Sequence, residues 1–212
     1  MSSPQLPDHI VYAAPVIEFV TVVAETCLFL EQATEQTREE FISRSVKLLP
    51  LLYLKASVLS APESVFDDPT ERFVSEEDYL YVKEQVEQLL GADDSYLEVF
   101  HPDMAISDTP IAAFISEDLA DVYQEIKDFA ANYQTMDIDI MNDALVGCLE
   151  AFGQHWGQKN LNALKALHAI RHSDSFLQSD ELEGNSAKLN RNSFLNFLHD
   201  DEEDNVDERM LF

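Results

Sequence analysis

Apolar residues recur along most of this chain at alternating intervals of four and three, the spacing that places side chains on one face of an α-helix. Val16, Val20, Val23, Cys27 and Leu30 form the first such stripe and predict a helix over about residues 14–35. Phe19, Val22 and Phe29 lie outside the stripe, so this helix is expected to be covered on several sides. Thr37 and Glu40 have the spacing of a capping box, which starts a second helix running through Ile42, Leu49, Leu52, Ala56 and Leu59 to about residue 60. Pro50 inside it predicts a kink, because proline removes a helical hydrogen bond and crowds the preceding turn. Residues 61–74, with Pro62, Asp67, Asp68 and Pro69, read as a loop. Ser75-Glu76-Glu77-Asp78 then caps a third helix at about 75–90, with Tyr79, Val82, Val86 and Leu89 on its face and Gly91 as its stop.

From Asp93 to Thr109 no period is sustained, and the segment reads as the longest internal connection. Thr109 and Pro110 suit a cap and a first-turn position, starting either a short helix or the fourth long one, and Ile115, Leu119, Val122, Ile126, Phe129 and Tyr133 then form an unbroken seam. Asp137 caps a fifth segment, 137–172, in which the stripe Met141, Leu145, Cys148, Phe152 changes register at Ala163, Leu167 and Ile170. Gly147, Gly153 and Gly157 lie inside it and predict close packing or a bend, leaving open whether the segment is one helix or two. Residues 173–212 turn polar and then acidic around a small apolar patch, Phe194, Leu195, Phe197 and Leu198, and read as a partly disordered tail. The expected fold class is all-α: a bundle of about five main helices over residues 1–172, followed by that tail.

Composition agrees, since five glycines and eight prolines in 212 residues are few for a fold built from many hairpins. Charge narrows the function classes further. Forty-one acidic against thirteen basic residues give a net charge of −28, which disfavours direct binding to nucleic acid or an anionic membrane and favours basic proteins, polyamines or divalent cations. Cys27 and Cys148 both fall on apolar stripes, where reduced thiols pack as small hydrophobes. With no basic leader before the apolar run at Ile10 to Ala24 and no stretch of spanning length, a cytoplasmic setting is expected.

Common catalytic signatures are missing: there is no nucleotide-binding glycine loop, no nucleophile elbow and no cysteine pair at metal spacing. Glu98-Val99-Phe100-His101 has the Glu-x-x-His spacing of di-iron bundles, but occurs once and in a loop, beside Asp93, Asp94, Asp103 and Asp108. Asp118 and Asp121, at i,i+3 on the fourth helix, have a spacing that converges on one magnesium ion. Glu117-Asp118-Leu119-Ala120-Asp121 resembles the second acidic motif of the all-α nucleoside triphosphate pyrophosphatases, whose first motif is a Glu-x-x-Glu, the spacing of Glu84 and Glu87. That resemblance implies a magnesium-dependent nucleotide phosphohydrolase with Asp118, Asp121, Glu84 and Glu87 as metal ligands. The plainer reading makes Glu117, Asp118, Asp121, Glu125 and Asp128 a solvated helix face, with no cofactor. Trp156, between glycines, reads as a core anchor, and His168 and His172 as helix-terminal charges. The carboxyl end, Glu208-Arg209-Met210-Leu211-Phe212, has the layout of a groove-docking peptide and faintly resembles the terminal peptides that bind bacterial sliding clamps.

Several segments in order, Leu48-Leu49-Pro50-Leu51-Leu52-Tyr53-Leu54-Lys55, Ser75-Glu76-Glu77-Asp78-Tyr79, Asp108-Thr109-Pro110, Glu117 to Asp121 and Trp156-Gly157-Gln158, are similar to a bacterial helical family known only as a domain of unknown function. The resemblance covers about residues 14–172 and implies the helical fold and a bacterial cytoplasmic setting, with no activity attached. The leading expectation is therefore a non-enzymatic acidic bundle that binds another protein, with homo-oligomerisation left open. Phosphohydrolysis and mimicry of DNA toward a basic protein are the alternatives.

Overall fold

The computed structural model describes residues 9–98, 111–173 and 176. The chain divides into two units, Met1–Ser173 and Asp174–Phe212, and the helical bundle is the first of them. Apart from residues 173 and 176, the expected tail lies outside the described residues, as do His101, Asp103, Asp108, Thr109 and Pro110.

Helix α1 (Ala14–Glu31) has a proline in its first turn and buries Val16, Phe19, Val23, Cys27, Phe29 and Leu30, more of its circumference than one stripe. Helix α2 (Arg38–Ser57) opens on the expected capping box: the Glu40 amide donates to Thr37 Oγ1 at 3.2 Å, and the Thr37 amide to Glu40 Oε2 at 3.0 Å. It continues as one helix through Pro50. Helix α3 (Glu76–Leu90) carries the same reciprocal cap between Ser75 and Asp78 and stops at Gly91, whose φ of +57° belongs to the left-handed region that glycine adopts without strain.

Two short strands follow, in place of the aperiodic connection and the helix start read there. Strands β1 (Ser95–Glu98) and β2 (Ile111–Phe114) pair antiparallel, Ser95 opposite Phe114 and Glu98 opposite Ile111. Helix α4 (Ile115–Tyr133) accordingly begins after the hairpin, not at Thr109–Pro110. Phe114 offers its amino end no side-chain cap. The buried carboxylate of Asp94 supplies one from across the hairpin, accepting from the Ser116 amide at 2.8 Å and the Ser116 hydroxyl at 2.7 Å. A cap delivered from 22 residues away leaves no local signature in the sequence.

Helix α4 is the centre of the bundle and packs against α1, α3 and the last long helix. That helix comprises α5 (Ile138–Ala151), capped by Asp137, a π-helical turn (Phe152–Trp156) and α6 (Gly157–Arg171), without interruption. The wider turn shifts the apolar stripe, which explains the register change between Phe152 and Ala163. Gly157 belongs to the turn: its amide donates to the Phe152 carbonyl, and a Cβ at 157 would lie 2.4 Å from that oxygen. Of the three glycines expected to allow close packing or a bend, only Gly157 makes a close approach, and it does so within the helix itself; a Cβ at Gly147 or Gly153 would meet nothing within 4 Å. Helix α2 packs between α1 and α6. Stacked pairs Phe19–Phe129 and Phe29–Phe41 fill the core, and Trp156 is fully buried with its indole N–H donating to the Cys148 carbonyl at 2.9 Å. The protein is an all-α bundle of five main helices, the fifth containing a π-turn. Among the described residues no helix is long and apolar enough to cross a membrane.

Candidate functional site

The i,i+3 spacing on α4 brings Asp118 and Asp121 together, as expected, but around an ammonium group of the chain itself. Lys159 of α6 places Nζ 3.0 Å from Asp118 Oδ1 and 3.2 Å from Asp121 Oδ2. Tyr96 of β1 donates its hydroxyl to Asp118 Oδ2, and Tyr79 of α3 donates to Asp121 Oδ1 at 2.9 Å. His155 Nε2 lies 3.8 Å from Asp121 Oδ2, and Lys83 pairs with Glu117 at 2.8 Å. Asp118 is 1% exposed. Burial raises its carboxyl above the usual range, against the opposing pull of Tyr96 and Lys159. Burial would lower the Lys159 ammonium, but Asp118 and then Asp121 outweigh it and hold the group above its ordinary value. The arrangement cross-links α3, β1, α4 and α6.

Glu84 and Glu87 stand on the exposed face of α3 and do not join Asp118 and Asp121 in a metal-holding set. Among the described residues no three or more His, Cys, Asp or Glu side chains are grouped to hold a metal ion. The solvated-face reading of α4 also needs correction, since Asp118 and Asp128 are both buried. Helical projection places a residue around an axis without knowing which neighbours cover that direction; here α6 and the 61–74 segment do.

That segment is a strap crossing the bundle, latched at each end by an Asp–Asn pair. At its start, Asp143 accepts the amides of Val65 (2.8 Å) and Phe66 (2.7 Å) and the Ser64 hydroxyl (3.0 Å), while Asn142 donates to the Glu63 carbonyl at 2.7 Å. At its end, Asp128 Oδ1 accepts the amides of Phe73 (2.7 Å) and Val74 (2.8 Å), and Asn132 donates to the Glu71 carbonyl at 2.7 Å. Buried carboxylates on rigid helices thus satisfy backbone groups of a segment with no secondary structure of its own. Burial pushes Asp143 up, but the bonds from Val65, Asn142, Phe66 and Ser64 more than offset this and hold it below the usual carboxylate range.

Between the latches, Asp67 to Thr70 arch over a cleft of about 450 Å³ whose floor is α4, α5 and the π-turn. Besides the two latch aspartates, Asp67, Asp68, Glu71, Glu125 and Glu150 line it, against Arg72 and His155. Phe66, half exposed, adds an aromatic wall, and Gly147 opens the floor, since a Cβ there would meet nothing within 4 Å. Cys148 also borders the cleft, but its thiol is buried and raised by that burial, so it offers no thiolate. Arg72 guanidinium nitrogens both lie 3.3 Å from Glu125 Oε1, and one lies 3.8 Å from Asp128 Oδ2. That Asp128 oxygen is buried with no hydrogen-bond donor among the described residues. Carboxylates and an aromatic ring thus line the cleft together, and among the described residues its one cysteine is not a thiolate.

Sequence reasoning missed this site because its latches are long-range. The adjacent polar pair Asn142-Asp143, interrupting the stripe of α5 beside Met141, was the one local signal of a buried polar contact.

The strap, the cleft and the Lys159 cluster all lie within residues 11–173, which match the family described as Domain of unknown function (DUF5063), and the chain belongs to that family. The crystal structure of protein BF1032 from Bacteroides fragilis is similar to this chain, with 43% sequence identity and a TM-score of 0.70, over 78% of this chain and 97% of that one. No curated protein matches.

Proposed function

We propose that this protein is a non-enzymatic helical module that binds another protein, and that the cleft beneath the 61–74 strap receives a basic segment of the partner. The observation that carries the reading is the lining of the cleft: five carboxylates beyond the latch aspartates, one arginine and a half-exposed phenylalanine in a concavity large enough for one or two side chains. An extended segment with arginine or lysine beside an aliphatic residue matches both the charge and the aromatic wall. Net charge of −28 draws such a partner in and repels nucleic acid. A cytoplasmic setting belongs to the same proposal, supported by two buried free cysteines that suit a reducing compartment.

The test uses a short fluorescein-labelled peptide of alternating arginine and leucine, titrated into the full chain at physiological salt and followed by anisotropy. An alternating glutamate–leucine peptide serves as control. Saturable binding of the basic peptide, with amide shift changes concentrated in residues 63–74 and 144–155, supports the reading. Equal binding of both peptides, or shifts spread over the whole acidic surface, overturns it.

A further inference from the structure

Resting on that reading, we infer that Glu125 and Asp128 form the guanidinium-binding position of the cleft, and that Arg72 occupies it in the free protein as an internal substitute which the partner's arginine displaces. Glu125 and Asp128 sit one turn apart on α4, and both line the cleft. The fit of Arg72 to them is poor. Both of its nitrogens address a single Glu125 oxygen at 3.3 Å, whereas a well-formed guanidinium–carboxylate pair is bidentate at about 2.8 Å. Its approach to Asp128 Oδ2 is 3.8 Å, outside hydrogen-bond range, so this oxygen stays buried without a donor among the described residues. A buried acceptor without a donor is an unmet interaction that an incoming fork of N–H groups satisfies.

Arg72 is also free to leave. Its side chain is 61% exposed, so the ion pair is screened by solvent and little is lost on departure, and its own backbone amide is not among those held by Asp128. The latch at Phe73 and Val74 uses Asp128 Oδ1, the other oxygen, so the strap stays fastened while Oδ2 changes partners. Planarity matters here: two carboxylates reached by one planar fork favour arginine over the point charge of lysine.

The experiment measures affinity for the arginine–leucine peptide in wild type, Arg72→Ala, Glu125→Gln and the double variant, with a lysine–leucine peptide in parallel. Lys47→Ala, an exposed site on α2, makes the same change in net charge as Arg72→Ala. Arg72→Ala is expected to tighten binding about fivefold, the scale of releasing one exposed ion pair, and Lys47→Ala to leave it unchanged. Glu125→Gln is expected to weaken it about tenfold and to abolish the gain from Arg72→Ala, with the lysine peptide bound more weakly throughout. If wild type binds the arginine peptide but Arg72→Ala binds no better, or Lys47→Ala gains equally, the inference is overturned and the cleft reading stands. If neither wild type nor any variant with a native circular dichroism spectrum binds, both fail together.

Discussion

The ammonium of Lys159 lies 3.0 Å from Oδ1 of Asp118, joining the middle of α6 to a carboxylate of α4 that is almost fully buried. The magnesium reading assigned that carboxylate to a metal, and the fold instead places a fixed positive charge beside it. Replacing Lys159 with methionine leaves Asp118 a buried charge with only the Tyr96 hydroxyl and is expected to cost about 3 kcal/mol, measured by urea unfolding. Adding Asp118→Asn to that variant removes the stranded charge and should recover much of the loss. Additive losses in the double-mutant cycle would show that the two side chains do not stabilise the fold as a pair.

Strap attachment gives a prediction in pH. Because Asp143 is held below the usual carboxylate range, its contribution to stability is fully present above the unfolded value, about 3.9, and is lost as pH falls through the lower folded value. Hydrogen-exchange protection of the Val65 and Phe66 amides, normalised for intrinsic rate, should therefore hold steady from neutrality to about pH 4 and fall below it. Asp143→Ala should abolish that protection at all pH values, destabilise the protein by about 2 kcal/mol and leave the amides of α4 protected. Protection that survives in the variant would mean that the strap is held by something other than this carboxylate.

These long-range contacts mark the boundary of what sequence alone conveys. Thr37 with Glu40, Ser75 with Asp78, Gly91 and Asp137 are read correctly because a cap and its amide lie within a few residues of each other. The α4 seam is legible for the same reason, as Ile115 to Tyr133 repeats its burial every turn. Asp94 capping Ser116, Asp128 holding Phe73, and Asp143 holding Val65 join residues 22, 55 and 78 positions apart, and each looks locally like an ordinary surface aspartate. The spacing of Asp118 and Asp121 correctly signals convergence, while Lys159, which decides on what they converge, lies two elements further along. The π-turn is visible only as a register change that straight-helix geometry does not explain.

Buried thiols offer a simple check on the core. Burial pushes the Cys27 thiol up to about 12 despite the opposing Lys127 charge, and Cys148 is raised by burial as well. Neither Cys27 nor Cys148 should react with an aromatic disulfide reagent in the native protein at pH 8, and both should react in denaturant. Rapid native labelling of Cys148 would mean that the cleft floor opens readily to solvent.

Two glycines of the last long helix should respond to alanine in opposite directions. Gly147 has ordinary helical surroundings, and a Cβ there meets nothing within 4 Å, so Gly147→Ala removes a flexible residue from a helix interior and should stabilise the protein by roughly 1 kcal/mol. Gly157 has ordinary helical backbone angles as well, but its added Cβ would lie 2.4 Å from the Phe152 carbonyl and 2.9 Å from the Phe152 ring. The backbone oxygen cannot yield without undoing the π-turn, so Gly157→Ala should destabilise by about 1–3 kcal/mol despite the better helix propensity of alanine. Thermal melts of the two variants decide the matter. If both are stabilised alike, the helix relaxes to α-helical geometry at little cost, and the Phe152–Trp156 turn is then set by the sequence around it, not by the missing side chain at 157.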